Sequence, residues 1–197
     1  MSQIPSDSYV IIMGAMKCGT SSIYGQLIQS KQVCACSKKE PEFFSSPKKG
    51  FPLDAYNQLW DFSSDVHKIA LEASTGYSKH PSFSGVPEKI YKSGIRPKFI
   101  YMVRNPYERI ISHYFHNRAN EGLRDSLLKH LDYYVDVSNY YLQLKQYSEF
   151  FPKESFLVLD FADYKRNPEL VVSRCCEFLG IDDSFYGNDV IGNQNKT

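Results

Sequence analysis

An apolar run, Tyr9 to Met13, stops at Gly14, and A-M-K-C leads from there to Gly19 and a helix-compatible stretch, Ser21 to Ser30. Ile23, Tyr24, Leu27 and Ile28 fall on one face of that stretch at helical spacing. Strand, glycine-flanked turn and helix in this order form the phosphate loop of a nucleotide-binding α/β unit. There the main-chain N–H groups and the helix N-terminus favour an anion. The spacing departs from G-x-x-x-x-G-K-[ST]. Gly14 and Gly19 keep the usual separation, but Thr20 follows the second glycine and the lysine stands earlier, at Lys17. Its charge therefore meets a phosphate chain at a different point, which argues against an ordinary ATP or GTP hydrolase.

Three further runs, Lys68 to Ser74, Lys98 to Arg104 and Ser155 to Phe161, are short, apolar and without sustained alternation. They predict strands covered on both faces, with another short strand around Gln32 to Ser37. Helical patterns lie between and after them. One starts at Asn105-Pro106, with Asn105 as cap and Glu108 expected to complete a capping box. Others are read at Ser126 to Tyr134, Ser138 to Phe150 and Pro168 to Leu179, the last stopped by Gly180. The expected fold is α/β: one P-loop-like domain over residues 1–197, with a central parallel sheet flanked by helices.

The formal net charge of +1 gives no global field for nucleic acid or an anionic membrane, so an anion site has to be built locally. The longest apolar run, Tyr9 to Met16, falls far short of the ~20 residues that cross a bilayer. M-S-Q-I-P-S-D-S at the start has no secretory-signal pattern, and five cysteines without C-x-x-C spacing fit a reducing compartment. A cytoplasmic protein without a metal site, a nucleic-acid partner or a membrane partner is expected. Cys18, inside the loop, is a candidate for either reactivity or packing.

Arg104 ends its strand at the same sheet edge as the loop, and Ser112 follows eight residues later, about two turns into the next helix. An arginine at a strand end grips phosphate bidentately, and a neighbouring hydroxyl completes the cage. Each residue alone has a plain alternative, a surface ion pair for Arg104 and a back-bonded helix serine for Ser112. Two anion sites at neighbouring strand exits suit a nucleotide phosphorylated at both its 5′ and 3′ ends.

G-A-M-K-C-G-T-S-S at 14–22 and R-N-P-Y-E-R-I-I-S-H-Y at 104–114 resemble the two donor-binding motifs of the PAPS-dependent sulfotransferases, in their carbohydrate and bacterial branch. K-E-P-E-F-F at 39–44 and the late pattern through Asp163-Tyr164, Asn167-Pro168 and Phe178-Leu179-Gly180 extend the likeness from about Tyr9 to Gly180. The resemblance implies PAPS as donor, PAP as product, no required metal, and a small-molecule or carbohydrate acceptor. It implies that Lys17 meets the 5′-phosphosulfate together with Cys18, Gly19, Thr20, Ser21 and Ser22, while Arg104 and Ser112 hold the 3′-phosphate. Glu40 is the candidate base that deprotonates the acceptor, with His80 as runner-up and Lys39 as a helper. Ser74, Thr75 and Tyr77 are implied to line the cleft. His113, roughly 100° around its helix from Ser112, reads as structural. The family's donor-covering loop has only Lys196 as a remnant in I-G-N-Q-N-K-T. Acceptor contacts are expected from 48–62 and 118–141, where Trp60, Tyr133, Tyr134, Tyr140 and Tyr141 stand. The competing readings are a nucleotide-binding protein of the same fold without turnover, and an NTP-dependent kinase. Against the kinase, Glu72 is the nearest residue to a strand-end metal carboxylate, and the third strand ends in Arg104 instead.

Overall fold

The computed structural model describes residues 4–45 and 52–185. Its strands are β1 (Tyr9–Gly14), β2 (Val33–Ala35), β3 (Ile69–Ala73), β4 (Lys98–Val103) and β5 (Phe156–Asp160). The helices among the described residues are α1 (Thr20–Leu27), α2 (Leu53–Asn57), α3 (Val86–Lys92), α4 (Pro106–Asn120), α5 (Leu131–Asp136), α6 (Tyr140–Ser148), α7 (Phe161–Arg166) and α8 (Pro168–Leu179). None is long and apolar enough to cross a membrane.

Every strand pairing is parallel, in the order β2-β3-β1-β4-β5. All of β1 is buried, which explains its unbroken apolar run: both faces of a central parallel strand are covered. The chain leaves β1 towards β2 and β3 on one side, then crosses to β4 and β5 on the other. The connections after β1 and β4, two adjacent strands, therefore diverge. A crevice opens at that switch point, beyond the carboxyl ends of the strands. The expected central parallel sheet flanked by helices is the fold observed.

Several boundaries differ for local reasons. β5 ends at Asp160 rather than Phe161, because the Asp160 side chain accepts from the Ala162 N–H at 2.7 Å and starts α7. The stretch read as one helix from Ser126 divides into a 3-10 turn, Leu127–His130, followed by α5. α6 starts at Tyr140 because Asn139 caps it, accepting from the Leu142 N–H. At α4, Asn105 caps as expected, accepting from the N–H groups of Tyr107 and Glu108 at 3.0 and 3.3 Å. The capping box is not completed. The Glu108 carboxylate turns instead to Arg104, whose Nε and Nη2 both stand 3.0 Å from Oε2, since a guanidinium outcompetes a neutral N–H for a carboxylate. All five cysteines are free and buried.

Candidate active site

Gly19 precedes α1 at φ 86°, and an ideal Cβ there would stand 2.7 Å from two ring carbons of Phe161. Only glycine fits. No side chain caps α1 and no acidic residue occupies its first turn, which leaves that end favourable to an anion. Lys17 is held in the left-handed region at φ 69°, and its Nζ lies 3.5 Å from His116 Nδ1. Of the hydroxyl residues that follow, Thr20 is buried, Ser21 exposed and Ser22 half-buried. The Cys18 side chain is wholly buried, with Sγ 3.8 Å from the Tyr140 hydroxyl. Burial pushes that thiol up to about 11, which favours packing over reactivity for Cys18.

Arg104 emerges from β4 beside the loop, and its Nη1 stands 3.5 Å from the Lys17 carbonyl. Its guanidinium also lies over the Phe161 ring, 5.3 Å from the centroid. Glu108, Ser112 and His116 follow one another at four-residue spacing along α4, forming one row with ~6 Å per step. Arg104 pairs with the first of these and Lys17 contacts the last, so Ser112 lies between them on the wall of the same crevice. The structure thus brings Lys17 and Arg104 together, with Ser112 on the α4 row between their partners Glu108 and His116.

Arg109, on α4 beside that row, was not singled out from the sequence. It is 1% exposed, and its partners are the Ser138 hydroxyl at 2.7 Å, the Tyr134 carbonyl at 3.1 Å, the His113 Nδ1 at 3.2 Å and the Met16 carbonyl at 3.5 Å. Every one is neutral; among the described residues no carboxylate forms an ion pair with it. A buried guanidinium without a counter-ion beneath the turn at residues 14–19 raises the potential there, its field weakly screened by the protein interior. Burial, and then Arg109, pull His113 down to about 3, so its imidazole is neutral and accepts from Arg109. The structural reading of His113 agrees with this.

Glu40 stands at φ 48°, and the Thr75 hydroxyl donates to its Oε2 at 3.2 Å. The loop that carries it is tied to the segment after β3. The Glu42 N–H donates to Ser74 Oγ at 3.1 Å, the Gly76 N–H to Glu42 Oε1 at 2.8 Å and the Phe44 N–H to the Tyr77 hydroxyl at 3.2 Å. Ser74, Thr75 and Tyr77 are therefore buried and hold the Glu40 loop rather than line an open cleft. Glu72 lies beneath them, fully buried, accepting from Ser74 Oγ at 2.6 Å, from Tyr77 at 3.2 Å and from the Tyr56 hydroxyl. Burial pushes its carboxyl up to about 7 despite these donors. It anchors the loop, and among the described residues no His, Cys, Asp and Glu side chains gather as a metal site.

His80 has its main chain held by Gln143, while its Nδ1 is buried with no partner among the described residues. No hydrogen bond among the described residues links it to Lys17, Glu40 or Arg104; the histidine at the loop is His116. Lys39 is exposed. Trp60 and Tyr134 are buried in packing, so of the aromatics expected to meet an acceptor only Tyr141 is well exposed. Lys196 and residues 46–51 lie outside the described residues.

Residues 7–191 match the family described as the sulfotransferase domain. A solved sulfotransferase from Alicyclobacillus acidocaldarius superimposes with a TM-score of 0.76 at 28% identity, over 92% of this chain and 83% of that one. Carbohydrate sulfotransferase 15 of Mus musculus is 22% identical over 86% of this chain and 43% of its own length. The luciferin sulfotransferase of Photinus pyralis is 25% identical over 55% of this chain and 30% of its own. The chain thus spans less than half the length of these two curated relatives. A family match running from before β1 to beyond α8, on a sheet with this order and this loop, makes the chain a member of the sulfotransferase family.

Proposed function

We propose that this chain moves a sulfuryl group from PAPS to a hydroxyl or amine of a sugar or small-metabolite acceptor, by in-line displacement. The observation that carries the reading is the meeting of two cationic segments at one switch point: Arg104 Nη1 reaches the Lys17 carbonyl at 3.5 Å, across adjacent strand exits. The residues present fit a doubly phosphorylated nucleotide. Among the described residues α1 has no side-chain cap and Arg109 no acid partner, and His113 is held neutral by burial and then by the neighbouring Arg109 charge.

PAPS supplies an activated sulfuryl group on a 5′-phosphate leaving group. Lys17 then sets an ammonium where negative charge grows on that phosphate, and the main chain from Gly19 to Ser22 adds N–H donors fixed in advance. Arg104 and Ser112 take the 3′-phosphate, which requires Arg104 to exchange Glu108 for the ligand. Glu40, oriented by Thr75, accepts the acceptor's proton. His80 remains the second choice for that role.

Thermal unfolding tests the donor site. 3′,5′-ADP should raise the midpoint by mass action, while ATP with Mg²⁺ should not. The reverse ranking would overturn the reading in favour of a kinase. Sulfate turnover lost in both Lys17→Ala and Glu40→Gln separates an enzyme from a binding protein, and full turnover in Glu40→Gln would remove Glu40 from the role of base.

A further inference from the structure

Helix α6 presents Tyr140, Gln143 and Tyr147 on one face, at i, i+3 and i+7, and each grips main chain of a segment leaving the sheet. Tyr140 grips the residue after β4: its hydroxyl donates to the Arg104 carbonyl at 2.8 Å and accepts from the Arg104 N–H at 3.3 Å. Gln143 grips His80 in the same two-point manner, its Oε1 accepting from the His80 N–H and its Nε2 donating to the His80 carbonyl, both at 2.9 Å. Tyr147 donates to the Tyr77 carbonyl at 2.8 Å. The exits of β3 and β4 are thus fastened to one helix through three side chains.

We infer that Tyr140 is a positioning residue for the 3′-phosphate site: by saturating both main-chain polar groups of Arg104 it fixes the point from which the guanidinium leaves. The inference rests on the proposed donor site. Arg104 is the first residue after its strand, so neither β1 nor β5 continues the ladder to hold it. Its side chain already has competing attractions, Glu108 at 3.0 Å and the Phe161 ring at 5.3 Å. Without the tyrosine hydroxyl the Arg104 N–H and carbonyl lose their partner, and the arginine becomes free to follow Glu108 away from the crevice. The Tyr140 ring is itself braced, edge-on to Tyr101 with centroids 5.9 Å apart, so the hydroxyl is held in place from behind.

The test compares 3′,5′-ADP with 5′-AMP, which lacks the phosphate assigned to Arg104, by calorimetric titration. The unmutated chain should prefer 3′,5′-ADP. Tyr140→Phe removes one oxygen and should weaken 3′,5′-ADP by about tenfold while leaving 5′-AMP within about twofold. In an Arg104→Ala background the same substitution should add nothing further, because its effect passes through Arg104. Gln143→Met, which breaks an equally close grip on the same helix, should leave the preference between the two nucleotides intact. Amide hydrogen exchange provides a second readout: the Arg104 N–H should lose protection in Tyr140→Phe while that of Met102 keeps it. A preference retained in Tyr140→Phe, or equal weakening of both nucleotides, overturns the inference alone. No preference for 3′,5′-ADP in the unmutated chain overturns the donor reading and this inference with it.

Discussion

Lys17 Nζ and Asn120 Nδ2 converge on one atom, the Nδ1 of His116, at 3.5 and 3.2 Å. Burial, and then the Lys17 charge, hold His116 below the ordinary histidine range, so a neutral imidazole offers that nitrogen as an acceptor. The lysine is thereby held against the α4 row at His116. His116→Leu should lower sulfate turnover by about tenfold, and His116→Gln, which restores an acceptor, should recover part of it. Equal activity in the two variants would show that the contact does not position Lys17.

Lys17 occupies a conformation that costs a residue with a Cβ ~1 kcal/mol. Lys17→Gly relieves that strain and removes a cation facing Arg109 and His113. Its unfolding free energy should rise by about 0.5–1 kcal/mol while turnover falls about 10²- to 10³-fold. Urea unfolding and a donor assay on one preparation check both halves.

Gly19 carries the opposite restriction. Gly19→Ala puts a methyl into the Phe161 ring at a φ of 86°, and should destabilise the chain by about 2–3 kcal/mol. Phe161→Ala in that background should recover the steric share but not the backbone share. Full recovery would mean that φ contributes nothing.

Glu108 pairs with Arg104, and its side chain is 56% exposed. An ion pair in that setting is worth ~1 kcal/mol at most. Glu108→Ala should therefore tighten 3′,5′-ADP by no more than about fivefold, with the gain shrinking as salt rises. A loss of affinity would instead show Glu108 orienting Arg104 for the ligand.

The sheet was legible because β1, β3 and β4 are covered on both faces and read as apolar runs, and even three-residue β2 is marked by Val33 and Cys34; β5, expected to be covered likewise, leaves Val158 and Asp160 exposed yet keeps its apolar run. The loop and Arg104 were legible because glycine, lysine and a strand-ending arginine are local signals. What tertiary packing decides was not. Whether Glu108 caps its helix or pairs with Arg104 depends on two side chains competing in space. Arg109 looks like any helix arginine until Met16, Ser138 and Tyr134 close around it. α2, α3 and α7 have only five to seven residues, too few to display a period. Thr75 and Glu40 are 35 positions apart in the chain, and no spacing rule joins them.

Two buried groups should bias the stability of this chain with pH in opposite directions. Glu72 titrates near 7 in the folded state against 4.5 for an ordinary carboxyl. The native state therefore holds a proton that the unfolded chain has released, and this group lowers stability as pH rises from about 4.5 to 7. His113 titrates near 3 against 6.5, so between those values the unfolded chain holds the extra proton, and stability rises with pH. Over pH 4.5 to 6.5 the two slopes oppose, each close to one proton, and the unmutated protein should show little net change from this pair. Glu72→Gln should expose a rising profile across that window, and His113→Asn a falling one, each amounting to about 2–3 kcal/mol. Urea unfolding at half-unit pH steps reads both. Parallel profiles for the two variants would show that neither group is shifted by its burial.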